Sequence, residues 1–312
     1  MTAYILRRLW QMLPTMLGVI VLVFVLFNWV GGDPAYILAG KMSNPEQIAN
    51  IRKQLGIDQP MYVQLWIFIK QIVTFNFGTS WSTGESVAHI IMSRLGPSLT
   101  VLIPLTILQT LLAVALALGI AFVRGSLTDR AVMIACTVGL SISILVYIIV
   151  FQYWFAYKLG LFPVQGWGDS FSENLFRYSL LPILIGLTVS IAPDLRLFRT
   201  FVLDEVNQDY VRTARAKGLS ERRIVWVHVL RNASIPIITH VMSNLPYLLI
   251  GAFLLERFFS IPGIGREVIL AVERSDFPVI KAVTVYVAAA TMIFNLLTDL
   301  MYQAVDPRVQ LK

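Results

Sequence analysis

A chain of 312 residues that is 57% hydrophobic and only 14% charged, with mean hydropathy +0.72, is composed as a polytopic membrane protein, since soluble domains carry about 25% charged residues. The net charge of +7 does not point to nucleic acid, because the basic residues cluster in loops between apolar runs. A single cysteine, Cys136, excludes an internal disulfide framework and any cysteine-based metal site; in the middle of an apolar run it reads as an inert buried thiol.

In chain order, the basic flank ending at Arg7 and Arg8 precedes an apolar run over 9–30. That run is too long for a signal-peptide core and has no clean cleavage site, so it reads as an uncleaved first transmembrane helix. Further runs long enough to cross about 30 Å of hydrocarbon fall near 99–123, 131–157, 179–199, 232–255 and 281–304. Six spans put both termini on one side. Arg124, Arg130, the eight basics from Arg196 to Arg231, Arg308 and Lys312 then share the side of Arg7 and Arg8. The positive-inside rule makes that side the cytoplasm, so both termini and the loop 200–231 are expected there.

The outer segment 31–97 is too long for an idle connection. Asn44-Pro45-Glu46 is a cap followed by an N1 proline, and Ile48, Ile51 and Leu55 keep helical spacing. After the turn Gly56-Ile-Asp-Gln-Pro60 comes Tyr62–Ile69, apolar but short for a span, and the segment reads as a small extracytoplasmic cap on the bundle. Pro104, Pro182, Pro193, Pro236 and Pro246 in or beside the spans either kink helices next to a water-filled path or serve packing alone. Gln109, Ser141, Ser143, Gln152 and Asn244, with Thr188 and Ser190, are candidates to line such a path or to hydrogen-bond between helices.

The polar stretch Asn207–Ser220 interrupts two apolar runs. Asn207 is the expected N-cap, Asp209 places negative charge in the first turn, Lys217 positive charge in the last, and Gly218 stands where a left-handed cap falls. A helix on the order of 15 Å long suits a lever or plug rather than a span. Ser220 and Glu221 begin a second helix, completing a hairpin on the water side. Beyond span five, Leu255–Gly265 is rich in glycine and aromatics; Glu256, Pro262, Gly263 and Gly265 form either a short gate element in the mouth of the bundle or a plain turn. Among ionisable residues, Asp299 lies deepest, Asp194 and Glu256 nearer span ends, and Asp299 is expected in a salt bridge near the cytoplasmic face, with an arginine of the hairpin as a candidate partner.

Recognisable catalytic chemistry is missing from the sequence: there is no glycine-rich phosphate loop, zinc-protease motif, paired-cysteine motif or nucleophile elbow. His89, His228 and His240 lie on different elements, so no shared metal site is expected. Acids placed toward span ends argue against a self-powered carrier. Energy for active transport must then enter from a partner, and the hairpin is the one sizeable inner surface to receive it.

Asp209-Tyr-Val-Arg-Thr-Ala-Arg-Ala-Lys-Gly-Leu219, followed by His228-Val-Leu-Arg-Asn-Ala-Ser-Ile-Pro236, resembles the coupling loop of permease subunits in the dipeptide, oligopeptide and nickel class of ATP-binding cassette importers. The likeness runs the whole length, through Gly32-Asp-Pro-Ala35, Leu55–Pro60, Arg94-Leu-Gly-Pro97, Glu256 with Phe259-Ser260, Pro262–Arg266, Asp276-Phe-Pro-Val279, and Asn295 to Asp306-Pro-Arg308. The long outer segment and short N-terminal flank are similar to the first of the two permeases in such systems. The resemblance implies an all-α type I permease fold of six transmembrane helices. It also implies a second homologous permease, two ATPase domains carrying ATP and Mg, an outer solute-binding protein, and no cofactor in this chain. Asp209, Tyr210, Arg212, Ala214, Arg215, Lys217, Gly218 and Leu219 are the implied coupling residues. Tyr210, Ala214 and Gly218 share one face at i, i+4, i+8, expected to meet an ATPase cleft, while Arg212 and Arg215 project from another toward acids of the partner or of this chain. A helix lying on anionic lipid would want a larger apolar face. The sequence departs from the family pattern where Arg212-Thr213-Ala214 stand for a leading Glu-Ala-Ala, in Gly139–Leu145 of span three, at Ile261, and at Phe75-Asn76. The last three place the solute in question: peptide is favoured over nickel. A stand-alone secondary carrier or channel is the alternative function.

Overall fold

The computed structural model describes residues 2–29, 34–39 and 44–305; Gly32, Asp33, Asp306 and Arg308, which carry part of the resemblance, lie outside them. Helices account for every regular element among the described residues, apart from one isolated bridge between Thr79 and Ser86.

Helix α1 (Thr2–Trp29) is apolar nearly throughout. Three short helices follow: α2 (Pro34–Ala39), α3 (Pro45–Leu55) and α4 (Met61–Val73). Asn44 opens α3 as read from the sequence: its backbone N–H donates to Gln47 Oε1 at 3.3 Å, closing a capping box, and Gly56 ends the helix at φ +66°. At 13 residues α4 is about 20 Å long, too short to span; instead Phe68 and Ile72 pack on Ile20, Val23 and Phe24 of α1.

Helix α5 (Val87–Phe122) begins well before the apolar run at 99, with Pro97 and Pro104 accommodated inside it. The third span is not one rod. Helices α6 (Leu127–Ser141) and α7 (Ile144–Phe151) meet at 93° before a π-helical turn, Gln152–Lys158. Ile142 takes up extended backbone (φ −92°, ψ 129°), and Ser143 starts the new helix by accepting the Leu145 N–H at 3.3 Å. Among the described residues five helices are long and apolar enough to cross a membrane, or six if this bent pair counts as one span.

The short α8 (Phe171–Glu173) leads into α9 (Leu180–Val206), then α10 (Asp209–Ala216) and α11 (Glu221–Arg223). The latter runs through a π-helical segment, Ile224–Val229, into α12 (Leu230–Asn244) and a 3₁₀ stretch, Leu245–Leu249. Helices α13 (Phe253–Phe258), α14 (Ile264–Glu273) and α15 (Phe277–Val305) complete the described chain.

Side-chain pairs set the directions. Helices α1 and α15 are antiparallel, with Arg8 against Asp299 at one end and Phe27 against Phe277 at the other. Helices α5 and α9 are parallel: Gln109 meets Asp194, and Arg124 meets Asn207. A Cβ on Gly186 would meet Leu105 Cδ2 at 2.6 Å, so this glycine allows the close approach of α5 and α9. Asp299 does pair with an arginine, but the partner is Arg8 at 2.8 Å, helped by the Tyr4 hydroxyl at 2.9 Å, and not an arginine of the hairpin.

Candidate coupling helix and polar network

Helix α10 begins one residue later than read from the sequence. Asn207 is the last turn of α9, its amide donating back to Leu203 O at 2.9 Å, and Gln208 occupies the cap of α10 without a side-chain bond. Its end matches expectation: Gly218 lies at φ +75°, its N–H donates to Arg215 O at 2.9 Å, and the Leu219 N–H donates to Ala214 O at 3.3 Å. That double closure is a Schellman motif, which turns the chain sharply into α11.

The orientation of α10 reverses one expectation. Val211 is fully buried and Ala214 nearly so, and Tyr210 leans on the same core built from α5, α9, α12 and the Ile224–Val229 turn. The Tyr210 hydroxyl donates to Glu205 Oε2 at 2.7 Å, and burial pushes its pKa up to about 12. The Tyr210–Ala214 face is therefore seated on this chain's own helices; sequence spacing identified a close-contact face but not which body it contacts. Burying Val211 alone contributes about 1.5 kcal/mol to that seat. Asp209, Arg212, Thr213, Arg215, Ala216 and Lys217 are exposed on the other side, as is Gly218. Arg215 forms a two-pronged pair with Glu221, at 2.6 and 3.1 Å, across the turn, and the carboxylate raises the pKa of the guanidinium. Arg212 reaches Asp209 at 3.5 Å with both side chains in solvent.

A second group lies within the spans. Gln109 of α5 donates to Asp194 Oδ2 at 2.6 Å; Nε2 of His240 on α12 lies 3.2 Å from Asp194 Oδ1 and 3.0 Å from the Asn244 amide. Three helices thus converge on one buried carboxylate. Asp194 stands midway along α9, because that helix continues past 199 to Val206. Of the polar path candidates, Gln109 and Asn244 join this network. Ser141 is exposed and donates to Thr137 O at 3.0 Å; Ser143 caps α7 at the bend; Gln152 bonds Val164 O at 3.0 Å and Phe258 O at 3.3 Å. His240, which sequence reasoning considered only as a metal ligand, and Asp194 supply the ionisable groups. Their spacing across three helices left no local signal. Among the described residues no group of His, Cys, Asp and Glu could hold a metal ion.

The glycine-rich segment after α13 is neither exposed nor a plain turn. Glu256 is fully buried and accepts from Ser98 Oγ at 2.8 Å, Ala252 N at 2.9 Å and Arg266 N at 3.0 Å. A Cβ on Gly263 would collide with the Glu256 carboxylate, and one on Gly265 would sit 2.8 Å from Phe253 N. The glycines let α14 fold back over α13, with Pro262 half-buried between them. Three donors around a buried carboxylate meet the requirement that buried charge be hydrogen-bonded.

Comparison with known proteins agrees with this architecture. Residues 109–311 match the family described as binding-protein-dependent transport system inner membrane component, and residues 1–102 match the N-terminal family of the same membrane components. The chain is 34% identical over 313 residues to the probable peptide ABC transporter permease protein y4tP of Sinorhizobium fredii, covering 99% of this chain and 100% of that protein. It is 35% identical over 319 residues to the glutathione transport system permease protein GsiC of Salmonella typhi, and 34% to that of Escherichia coli (strain K12), each over the full length of both proteins. With matches to the two families along nearly its whole length and relatives aligned end to end, the chain belongs to the binding-protein-dependent transport system inner membrane components and is a multi-pass transmembrane permease subunit of an ABC importer.

Proposed function

We propose that this permease subunit forms half of the translocation path of an importer for peptides or a peptide-like solute of glutathione size, powered from the cytoplasm through α10. The observation that carries this reading is the two-sidedness of α10: one face anchored by Val211, Ala214 and Tyr210 in the core that joins α5, α9 and α12, the other free and basic. A lever of this build passes motion of a docked body straight to the spans that hold Asp194 and His240. The docked body is a cytoplasmic ATPase, one of two, that binds and hydrolyses ATP with Mg while this chain performs no catalysis. A second homologous permease completes the path, and an extracytoplasmic binding protein delivers the solute. Both termini and the hairpin 200–231 are cytoplasmic, in keeping with the basic residues there, and 31–97 caps the outer side. Alternating access follows closure and opening of the ATPases. The names of the relatives support the solute class.

In this assignment the coupling surface is Asp209, Arg212, Arg215 and Lys217 with Gly218, while Tyr210, Ala214 and Leu219 seat the helix. Gln109 and Asn244, with Asp194 and His240, line the path. Glu256, Pro262, Gly263 and Gly265 form a rigid element at the mouth rather than a moving gate.

The test is uptake of a radiolabelled dipeptide and of glutathione into proteoliposomes holding the chain with its partner permease, ATPases and binding protein. ATP-dependent accumulation that disappears when the ATPases are omitted is expected. Flux through the chain reconstituted alone, without ATP, would overturn the reading in favour of a stand-alone carrier or channel.

A further inference from the structure

At the end of the bundle where α5 and α15 begin, remote from α10, a cavity of about 270 Å³ opens between α1, the α3–α4 segment and the first turns of α15. Among the described residues its one charged lining residue is Lys281, half-buried on α15. The ammonium stands 5.8 Å from the ring centre of Phe27 and 5.7 Å from that of Phe68. No ion pair joins Lys281 to an acid among the described residues. That sets it apart from the other buried ionisable groups. Asp129 holds Arg199, Asp194 holds Gln109 and His240, and Glu256 is ringed by donors. The acid nearest to Lys281 along the chain, Asp276, already accepts from the Ser80 and Ser82 hydroxyls and from the Trp81 N–H.

Ring faces compensate a desolvated ammonium only in part, because removing an ion from water costs more than they return. An anion entering the cavity would recover the difference. The walls suit an organic anion. The Gln71 and Gln54 side chains line the cavity and make no hydrogen bond within the described protein, leaving their amides available. Gln64, in contrast, is held by Ile57 O, Gln59 O and Asn28, so it shapes the wall instead of serving a ligand. Phe24, Phe68 and Trp81 offer apolar contact to whatever carries the anion. At about 30 Å³ per water the volume corresponds to roughly nine waters, the size of an amino acid and too small for an oligopeptide. The α3–α4 segment, α1, α15 and the 77–81 segment wall the cavity, so protein supplies the lining of this open pocket.

We propose that this cavity is a binding pocket for the carboxylate of an amino-acid-sized solute, with the Lys281 ammonium as the anion receptor and the Gln71 amide as a second donor. The pocket is separate from the Gln109–Asp194–His240 network, and its existence does not depend on what the importer carries.

The test uses the full chain in nanodiscs of neutral phosphatidylcholine, titrated calorimetrically with N-acetylalanine and with the uncharged N-acetylalanine amide. Saturable binding of the acid is expected, at least tenfold weaker for the amide, at least tenfold weaker in Lys281→Met, and retained in Lys281→Arg. Lys281→Met removes an unpaired charge and is expected to fold; Gln71→Leu, which leaves the cation in place, should weaken binding severalfold and serves as an independent check. Equal binding of acid and amide, or binding unchanged in Lys281→Met, overturns the proposal. A third arm is native mass spectrometry of the chain purified from membranes: an anionic phospholipid held by the parent, lost in Lys281→Met and not displaced by N-acetylalanine, overturns it in favour of a lipid site.

Discussion

Arg199 grips Asp129 with two parallel hydrogen bonds, Nε to Oδ1 at 2.9 Å and Nη2 to Oδ2 at 2.7 Å, and so ties the start of α6 to the C-terminal half of α9. The Gly125 N–H adds a third bond to the same carboxylate at 3.0 Å, and Asp129 is almost fully buried. One of the basic residues expected on the cytoplasmic side is thus a structural brace. Removing one partner strands the other in a low-dielectric setting, where the loss is about 3 kcal/mol. Asp129→Asn and Arg199→Met should each lower the thermal unfolding midpoint of the detergent-solubilised chain by several degrees, and the double substitution should cost little more than either alone.

The two faces of α10 predict opposite phenotypes from the same change. Ala214→Trp forces an indole into the seat formed by α9 and α12, an overpacking that costs about 1–3 kcal/mol, so the variant should unfold at lower temperature. Ala216→Trp, on the exposed face, should leave the midpoint unchanged and weaken copurification with the ATPase subunits at least tenfold. Normal ATPase association in the Ala216 variant would sink the proposed docking face.

Tyr210 gives the hairpin a pH dependence of known sign. Its pKa is raised to about 12 by burial, while an unfolded tyrosine titrates near 10. Ionisation therefore favours the unfolded chain: the contribution is complete below about pH 10 and is lost as pH rises from there through about 12. Tyr210→Phe should remove this alkaline slope from a plot of unfolding midpoint against pH, and, by deleting the bond to Glu205, lower stability by about 1 kcal/mol at neutral pH.

Around Glu256, glycine is required at two places for distinct reasons. Gly251 lies at φ +82° with Gly265 N 2.6 Å from where a Cβ would be, whereas Gly263 lies in extended backbone and is crowded by the carboxylate itself. Gly251→Ala should cost more than the strain alone, about 1 kcal/mol, because backbone cannot move aside. Gly263→Ala should cost less in a Glu256→Ala background, where the crowding carboxylate is gone, than in the parent, read from unfolding midpoints of the two single variants and the double variant.

The Gln109–Asp194–His240 network should govern transport more than stability. Asp194→Asn preserves its size and its ability to pair with Gln109, and is expected to lower ATP-driven uptake at least tenfold while shifting the unfolding midpoint by no more than a few degrees. Uptake at the parental rate would remove this carboxylate from the path.

Much of the fold was legible because the relevant signals are local. Asn44, Pro45 and Gly56 bound α3 as their backbone preferences require, and Gly218 ends α10 in the left-handed conformation it was expected to adopt. Where expectation failed, a nonlocal contact or a break unmarked by proline decided. Asn207 is a good cap residue, yet α9 continues through Val206 because Phe198 and Val202 still have a core to enter. The bend at Ile142 and Ser143 lies in an apolar run that hydropathy alone reads as one rod. Glu256 read equally as part of a gate element or of a plain turn because nothing nearby in sequence discloses that Ser98, far up the chain, donates to it.

By itself the sequence determined the class, the count of crossings and the presence of a short, well-ended helix between spans, since composition, run length and capping chemistry act over a few residues. Only the tertiary structure decided which face of that helix is exposed, that Asp194 meets His240, and that Lys281 stands beside an open cavity without an acid partner among the described residues. Each of these depends on the register between helices distant in sequence, and register is set by the packing of many side chains at once rather than by any one stretch.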